Sequence, residues 1–460
     1  MASLRTSNIL TVVQTLRGNT RVAVLLEPMW GIPFVLCNFY LSLYMKSLGV
    51  TDQEIGYLIA LGLLCGSATA FAGGLLVDRL GRKKSTLIFD LLAWPVSLGL
   101  YALAGGFWGF AIGMAANSFV RIATVGWNLM VIEDADNEQR IAAFNFLNVV
   151  TVSTGILTPL AGLLVRYLGI IPAERVLLIF AVISITTQIL VRNHLFTETR
   201  IGERILRERR EQPDGRAAPL ASYRDAFAAL RNSRLRRVMS LVILYMLFMP
   251  VASLSSLYFA PYLTESLGLA TAAISLLGGL YSAVLMVMFV LVVPLISRGN
   301  RLSHMLTGLV LQVAALVLFI VIPPGSFALA GLAVVAYAVG FALFKPFMDS
   351  ALAEATEGRS RVGIYALNNT LISLFGAAAA FFSGHLFHLL PSAVWMLGIG
   401  ILLGCAGILV SFRRTGFAPA GDLRPLPDRR APLYNASIPI VGDDGTSRSP
   451  AGNERGGARV

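Results

Sequence analysis

Three ionisable side chains stand inside long apolar stretches of this 460-residue chain: Glu27, Arg121 and Lys345. An ionisable group at bilayer depth is costly, so each is a functional candidate by default. Glu27 is followed by Pro28, whose missing N–H loosens a helix at that point. Burial and a nearby cation act in opposite directions on a carboxyl group, which then switches its proton as water gains or loses access. Glu27 is therefore the expected proton carrier. Arg121 cannot release its proton and is expected to set that switch or to bind an anionic group of a substrate. Structural readings stand beside these. Glu27 and Arg121 would then form a permanent lock, Lys345 would snorkel or pair with Asp349 one turn on, and Asp90 would belong to a loop latch. Around the charges lie Trp30, Asn38, Tyr40, Asn117, Trp127, Asn128, Tyr245, Ser253 and Tyr337, and a mixed aromatic and amide lining suits an amphipathic organic solute.

Other chemistry is not signalled. There is no G-x-x-x-x-G-K-[ST] loop to cradle ATP, no histidine cluster or metal-ligand spacing, and no nucleophile elbow. His385 and His388 report an interface rather than a metal, and Cys37, Cys65 and Cys405 stand singly as small hydrophobes. No cofactor is expected.

The elements that position these groups follow from composition. Hydrophobic residues make up 56% of the chain and charged ones 13%, whereas a soluble domain carries about 25% charge. The apolar residues fall into continuous stretches of about twenty, long enough to cross a hydrocarbon core of about 30 Å as helices. They are not apolar on every second residue, which excludes the strands of an outer-membrane barrel. Twelve spans are predicted at 22–45, 53–77, 85–105, 107–132, 141–167, 172–193, 238–263, 270–296, 303–322, 326–349, 361–386 and 393–412.

The net charge of +12 is distributed unevenly. Arg79, Arg82, Lys83 and Lys84 follow the second span, Arg192 to Arg237 the sixth, Arg298 and Arg301 the eighth, and Arg359 and Arg361 the tenth. The alternate connections hold only Lys46, Arg166 and Arg175. This is the positive-inside pattern, and it predicts a multi-pass protein of the plasma (inner) membrane with both termini cytoplasmic. The charge speaks for orientation and anionic lipid rather than nucleic acid, since no aromatic residues interleave with it. The expected organisation is a cytoplasmic or interfacial segment 1–20, a six-helix bundle 21–193, a cytoplasmic linker 194–237 containing Pro213-Asp214-Gly215, a second bundle 238–412 and a disordered tail 413–460.

The two bundles repeat each other at a spacing of about 220 residues. Ser47-Leu48-Gly49 corresponds to Ser266-Leu267-Gly268, Arg79 and Arg82 to Arg298 and Arg301, and Glu133 with Arg140 to Glu354 with Arg361. Asn148 and Gly155 correspond to Asn369 and Gly376, and Asn145 and Asn148 with Asn368 and Asn369 are expected to bond between helices.

Between the second and third spans the chain reads Gly74-Leu75-Leu76-Val77-Asp78-Arg79-Leu80-Gly81-Arg82-Lys83-Lys84. Gly74 would let two helices approach, Gly81 would allow a tight turn, and the charges could bridge helix ends. The run is similar to G-x-x-x-D-R-x-G-R-[KR], the signature of the major facilitator superfamily, and the resemblance covers roughly residues 20 to 412. It implies an all-α membrane fold of twelve helices in two pseudo-symmetric six-helix bundles, with spans one, four, seven and ten around a central cavity. It further implies that Asp78 caps the helix beginning near Arg361 and that Arg82 meets Glu133 or Asp134, latching the outward-facing state. In the second half Ser297 replaces the aspartate while Arg298 and Arg301 remain, so a weaker latch of Arg301 with Glu354 is expected.

Gly155-x-x-Thr158-Pro159-x-x-Gly162 resembles the G-x-x-x-G-P-x-x-G-G motif of the family's drug/proton antiporters, with Thr158 in place of one glycine and Gly155 one residue nearer to it than the motif's first glycine. Family antiporters also carry an arginine in span four with a glycine four residues on, where here Gly126 comes five after Arg121. The resemblance thus implies a monomeric secondary transporter that exports a small organic solute at the expense of a proton gradient. An uptake symporter for a nutrient or organic anion is the alternative, and a membrane-embedded sensor or enzyme a remote one.

Overall fold

A computed structural model describes residues 16–135, 137–211, 230–296, 300–356 and 361–415. The linker turn Pro213-Asp214-Gly215, the loop residues Ser297, Arg298 and Gly299, and nearly all of the predicted tail lie outside the described residues, as does most of the N-terminal segment.

Eleven described helices are long and apolar enough to cross a membrane. The one predicted span that is missing from this set is the fourth, which runs as Phe107–Asn117 and Val120–Ile132. Between them Ser118 bonds its hydroxyl to the Ala115 carbonyl at 2.6 Å, and the Phe119 amide bonds to the Ala116 carbonyl at 3.2 Å. A serine that competes for a carbonyl of its own helix, with bonds tightened to i→i−3, is a local cause of such a break. Counting this divided helix, the chain has the twelve spans predicted for two six-helix bundles.

The seventh span also differs from the continuous helix predicted over 238–263. It begins earlier, where the Asn232 side chain accepts from the amides of Arg234 and Leu235, and it ends at Ala252 just after Pro250. Irregular chain follows before Phe259–Pro261 resumes the direction. The fifth span is Asn137–Thr154 and Thr158–Leu168 around one tight turn at Gly155–Leu157. The linker carries a helix of its own, Arg200–Glu211.

Among the described residues, contacts between the halves gather away from the signature loop. At the far end Lys46 bonds Asp52 at 2.6 Å and crosses to Glu265 at 2.7 Å, and the Tyr40 phenol donates to the Thr271 carbonyl at 2.8 Å. Spans two and eleven touch through glycines: a Cβ on Gly56 would strike the backbone of Ala380 and Gly384, and one on Gly384 would strike that of Asp52 and Gln53. Spans five and eight meet where Gly155 faces Ser282 and Gly162 faces Ser275. Small residues allow such approach where lipid offers no hydrophobic drive between helices. Gly74, expected to let helices approach, has nothing within 4 Å of where its Cβ would stand, because the closure lies at the other end of its span.

Candidate functional site

The third and sixth spans build an ion pair. Asp90 and Arg192 are both buried, and Arg192 donates to the Asp90 carboxylate. Arg192 also lies over the Phe196 ring, at 5.7 Å from its centroid. One turn beyond Asp90 the third span loosens into a π-turn, Leu92–Val96, that contains Pro95 and presents Trp94. Proline removes an amide donor and so favours such an adjustment.

The first span brings Glu27 to this pair. The half-buried Glu27, Trp30, Asp90, Trp94, Trp127 and Arg192 line a cavity of about 190 Å³. Two prolines shape the helix here, Pro28 and Pro33. Pro33 leaves the Met29 carbonyl without its helical donor, and the Ser184 hydroxyl of the sixth span supplies one at 2.8 Å. Trp30 stacks on Phe34 at 4.9 Å and meets Trp94 edge-on at 5.1 Å.

Trp94 also lines a second cavity, of about 270 Å³, that lies between the halves. Asn38 and Asn117 face it from the first half, Pro250 and Ser255 from the second. Asn117 is held by its bond to the Ala93 carbonyl at 2.9 Å. The two cavities thus share an indole wall, with carboxylates and a guanidinium on one side and amides on the other.

The structure does not bring the three predicted charges together. Arg121 is exposed beside Gly66 of the second span, and no carboxylate among the described residues lies within 4.0 Å of it. The lock between Glu27 and Arg121 is therefore not formed. Lys345 bonds Asp349 at 2.5 Å on its own helix and lines neither cavity. Tyr245 and Tyr337, predicted to line a cavity, are fully buried instead. Tyr245 donates to the Gln312 side chain at 2.9 Å and packs on Phe344, while Tyr337 stacks near Phe248, so both serve the interior of the second bundle. Asn128 is half-buried outside either cavity.

At the signature loop Arg82 is buried and reaches Asp78 at 3.1 Å and Glu133 at 3.3 Å. Asp78 is partnered by Arg82, while the side chains at the start of the helix at Arg361, which Asp78 was expected to cap, lie outside the described residues. Arg79 points outward. The linker completes this cluster in a way the sequence did not announce. Glu198 accepts from the backbone amides of Arg82 and Lys83, both at 3.0 Å, capping the third span. Thr199 donates to Glu133, and the Arg200 amide lies 3.4 Å from Asp134. Gly81 is required twice, once for its φ of +86° and once because a Cβ would press on Glu198. In the second half Arg301 meets Glu354 at 2.5 Å.

Sequence reasoning missed Arg192 and Glu198, which read as charges of the linker, and the buried Glu174, which lies just inside the predicted sixth span. Among the described residues no group of three or more histidine, cysteine or acidic side chains is placed to hold a metal ion.

No curated protein matches the chain by sequence. Among solved structures it is similar to the nucleoside transporter NupG, at 14% identity and TM-score 0.63, covering 89% of this chain and 100% of that one. It is similar to the peptide transporter POT in complex with sulfate, at 13% identity and TM-score 0.64, covering 89% and 98%. The xylose transporter XylE from E. coli, in a partially occluded inward open conformation, matches at 15% identity and TM-score 0.61, covering 87% and 98%. At these identities the likeness is one of fold. The family description of the Major Facilitator Superfamily matches residues 31–260, half of the chain. With its twelve helices in two bundles and its signature loop, the chain belongs to the Major Facilitator Superfamily.

Proposed function

We propose that this protein is a proton-coupled secondary transporter of the plasma membrane that exports a small amphipathic organic solute by alternating access. The basic loops, including the signature loop, face the cytoplasm by the positive-inside pattern. The halves join at the end away from that loop, so the structure corresponds to the state whose outer end is closed. The observation that carries the coupling is the position of Glu27, in one cavity with the Asp90–Arg192 pair and separated by Trp94 from the cavity between the halves. A carboxyl group so placed can take a proton from water and return it to water under the bias of the pair's field, while an aromatic wall relays occupancy by solute. Glu27 is the proton carrier, and the tryptophans and the amides of Asn38 and Asn117 form the solute site. Export is supported by the close packing of Gly162 against Ser275 of span eight, at a glycine of the antiporter-like motif of span five.

One observation favours uptake of an organic anion instead. Arg121 is exposed with no carboxylate beside it among the described residues, and could bind an anionic group. Proteoliposomes loaded with a panel of cationic, neutral and anionic solutes and given an imposed pH gradient separate these readings. The proposal predicts that cationic or neutral aromatic solutes move against the proton flow. Anion movement with the protons, lost in Arg121→Gln, would replace export by symport.

A further inference from the structure

Glu174 lies near the outer end of the sixth span and is 0% exposed, with both carboxyl oxygens buried and without a hydrogen-bond partner. An unpartnered ionised carboxylate is strongly disfavoured in an apolar interior. The nearby cations are engaged elsewhere or turned outward. Its helix neighbour Arg175 donates to the Tyr44 phenol at 3.3 Å, Lys46 is bound by Asp52 and Glu265, and Arg166 on span five is exposed. The other titratable groups at this end of the packed spans are Cys37, Tyr40 and Tyr44 on the first, Tyr101 on the third and the exposed Tyr167 on the fifth. A charge on Glu174 would act directly on Cys37 and Tyr40.

Tyr40 is also the residue that ties the first span to the second half, through Thr271. One turn along the sixth span from Glu174, Leu178 lines the cavity between the halves together with Cys37 and Tyr101. Opening the outer end would draw Tyr40 off Thr271 and extend this cavity toward the carboxyl group. Closing it removes water again, and only the neutral acid is tolerated there.

We propose that Glu174 is a proton-binding site of the outer gate, protonated when the gate is closed and ionised when it is open to outside water. This rests on the alternating-access reading. The step is a single protonation: the carboxylate takes one proton from the outer solution as the gate closes and returns it as the gate reopens. Glu174 is thus a second protonatable site, distinct from Glu27, and makes outer closure follow external pH.

The test places spin labels at Ser47→Cys and Ala270→Cys, both exposed at the outer end, in protein otherwise freed of cysteine and held in nanodiscs. Distance distributions are read between pH 5 and pH 9. The wild-type background should shift to the short distance as pH falls, Glu174→Gln should stay short at every pH, and Glu174→Asp should restore the dependence. A Glu174→Gln protein that keeps the wild-type pH dependence overturns the proposal. Two distances whose ratio ignores pH in the wild-type background also overturn it while leaving alternating access intact. A single distance under all conditions, joined by absence of solute flux in proteoliposomes, overturns both.

Discussion

Arg192 and Asp90 form a buried ion pair across 102 residues of sequence, and Glu27 is the other carboxylate of their cavity. Removing one member of a buried pair leaves an uncompensated charge, at a cost of about 3–5 kcal/mol. Asp90→Asn should therefore lower the thermal midpoint in detergent, and adding Arg192→Gln should recover most of the loss. With Asp90 gone, Glu27 becomes the partner available to Arg192. Glu27→Gln should then cost more in the Asp90→Asn background than alone, and strictly additive losses would contradict the shared site.

The linker clamp makes a second prediction. Glu198→Ala removes the cap on the amides of Arg82 and Lys83, worth about 1 kcal/mol. It also frees Thr199 and the start of the Arg200–Glu211 helix, which is rich in arginine. Tryptic cleavage within that helix should accelerate several-fold while the rest of the protein stays folded. An unchanged cleavage rate would mean that Glu198 does not hold the linker.

The glycines of spans two and eleven should behave unequally. Gly384→Val inserts a side chain against the backbone of Asp52 and Gln53, where neither neighbour can give way by rotating a side chain. Outer cysteine labels should then report a more accessible outer end. Gly74→Ala enters open space and should leave that accessibility as it is. Equal effects from the two changes would argue against closure at the outer end.

The spans and the signature loop were readable because each depends on local features, a continuous apolar run or a short motif. The pairing of Arg82 with Glu133 came from the family resemblance, and the two residues do stand 3.3 Å apart. The pairing of Asp90 with Arg192 carries no local signal, and Arg192 looked like the first charge of a linker. Glu174 stands just inside the predicted start of the sixth span at 172, beside Arg175, which reads as a charge of the outer connection, and the helix begins earlier, at Ile170. Tyr245 and Tyr337 were assigned to the wrong face because their helices are apolar all round, so periodicity does not say which side meets the cavity. The break in the fourth span depends on one serine hydroxyl, and hydropathy averaged over a window is blind to it.

The central claim is that Glu27 carries the proton that drives solute movement. The direct measurement compares pH-driven solute flux with solute–solute exchange in proteoliposomes of the wild-type and Glu27→Gln proteins. Exchange needs binding and alternating access but no net proton transfer, so Glu27→Gln should retain exchange within about a factor of three, roughly 0.6 kcal/mol of barrier, and lose pH-driven flux to background. PH-driven flux that persists at the wild-type rate in Glu27→Gln would contradict the account.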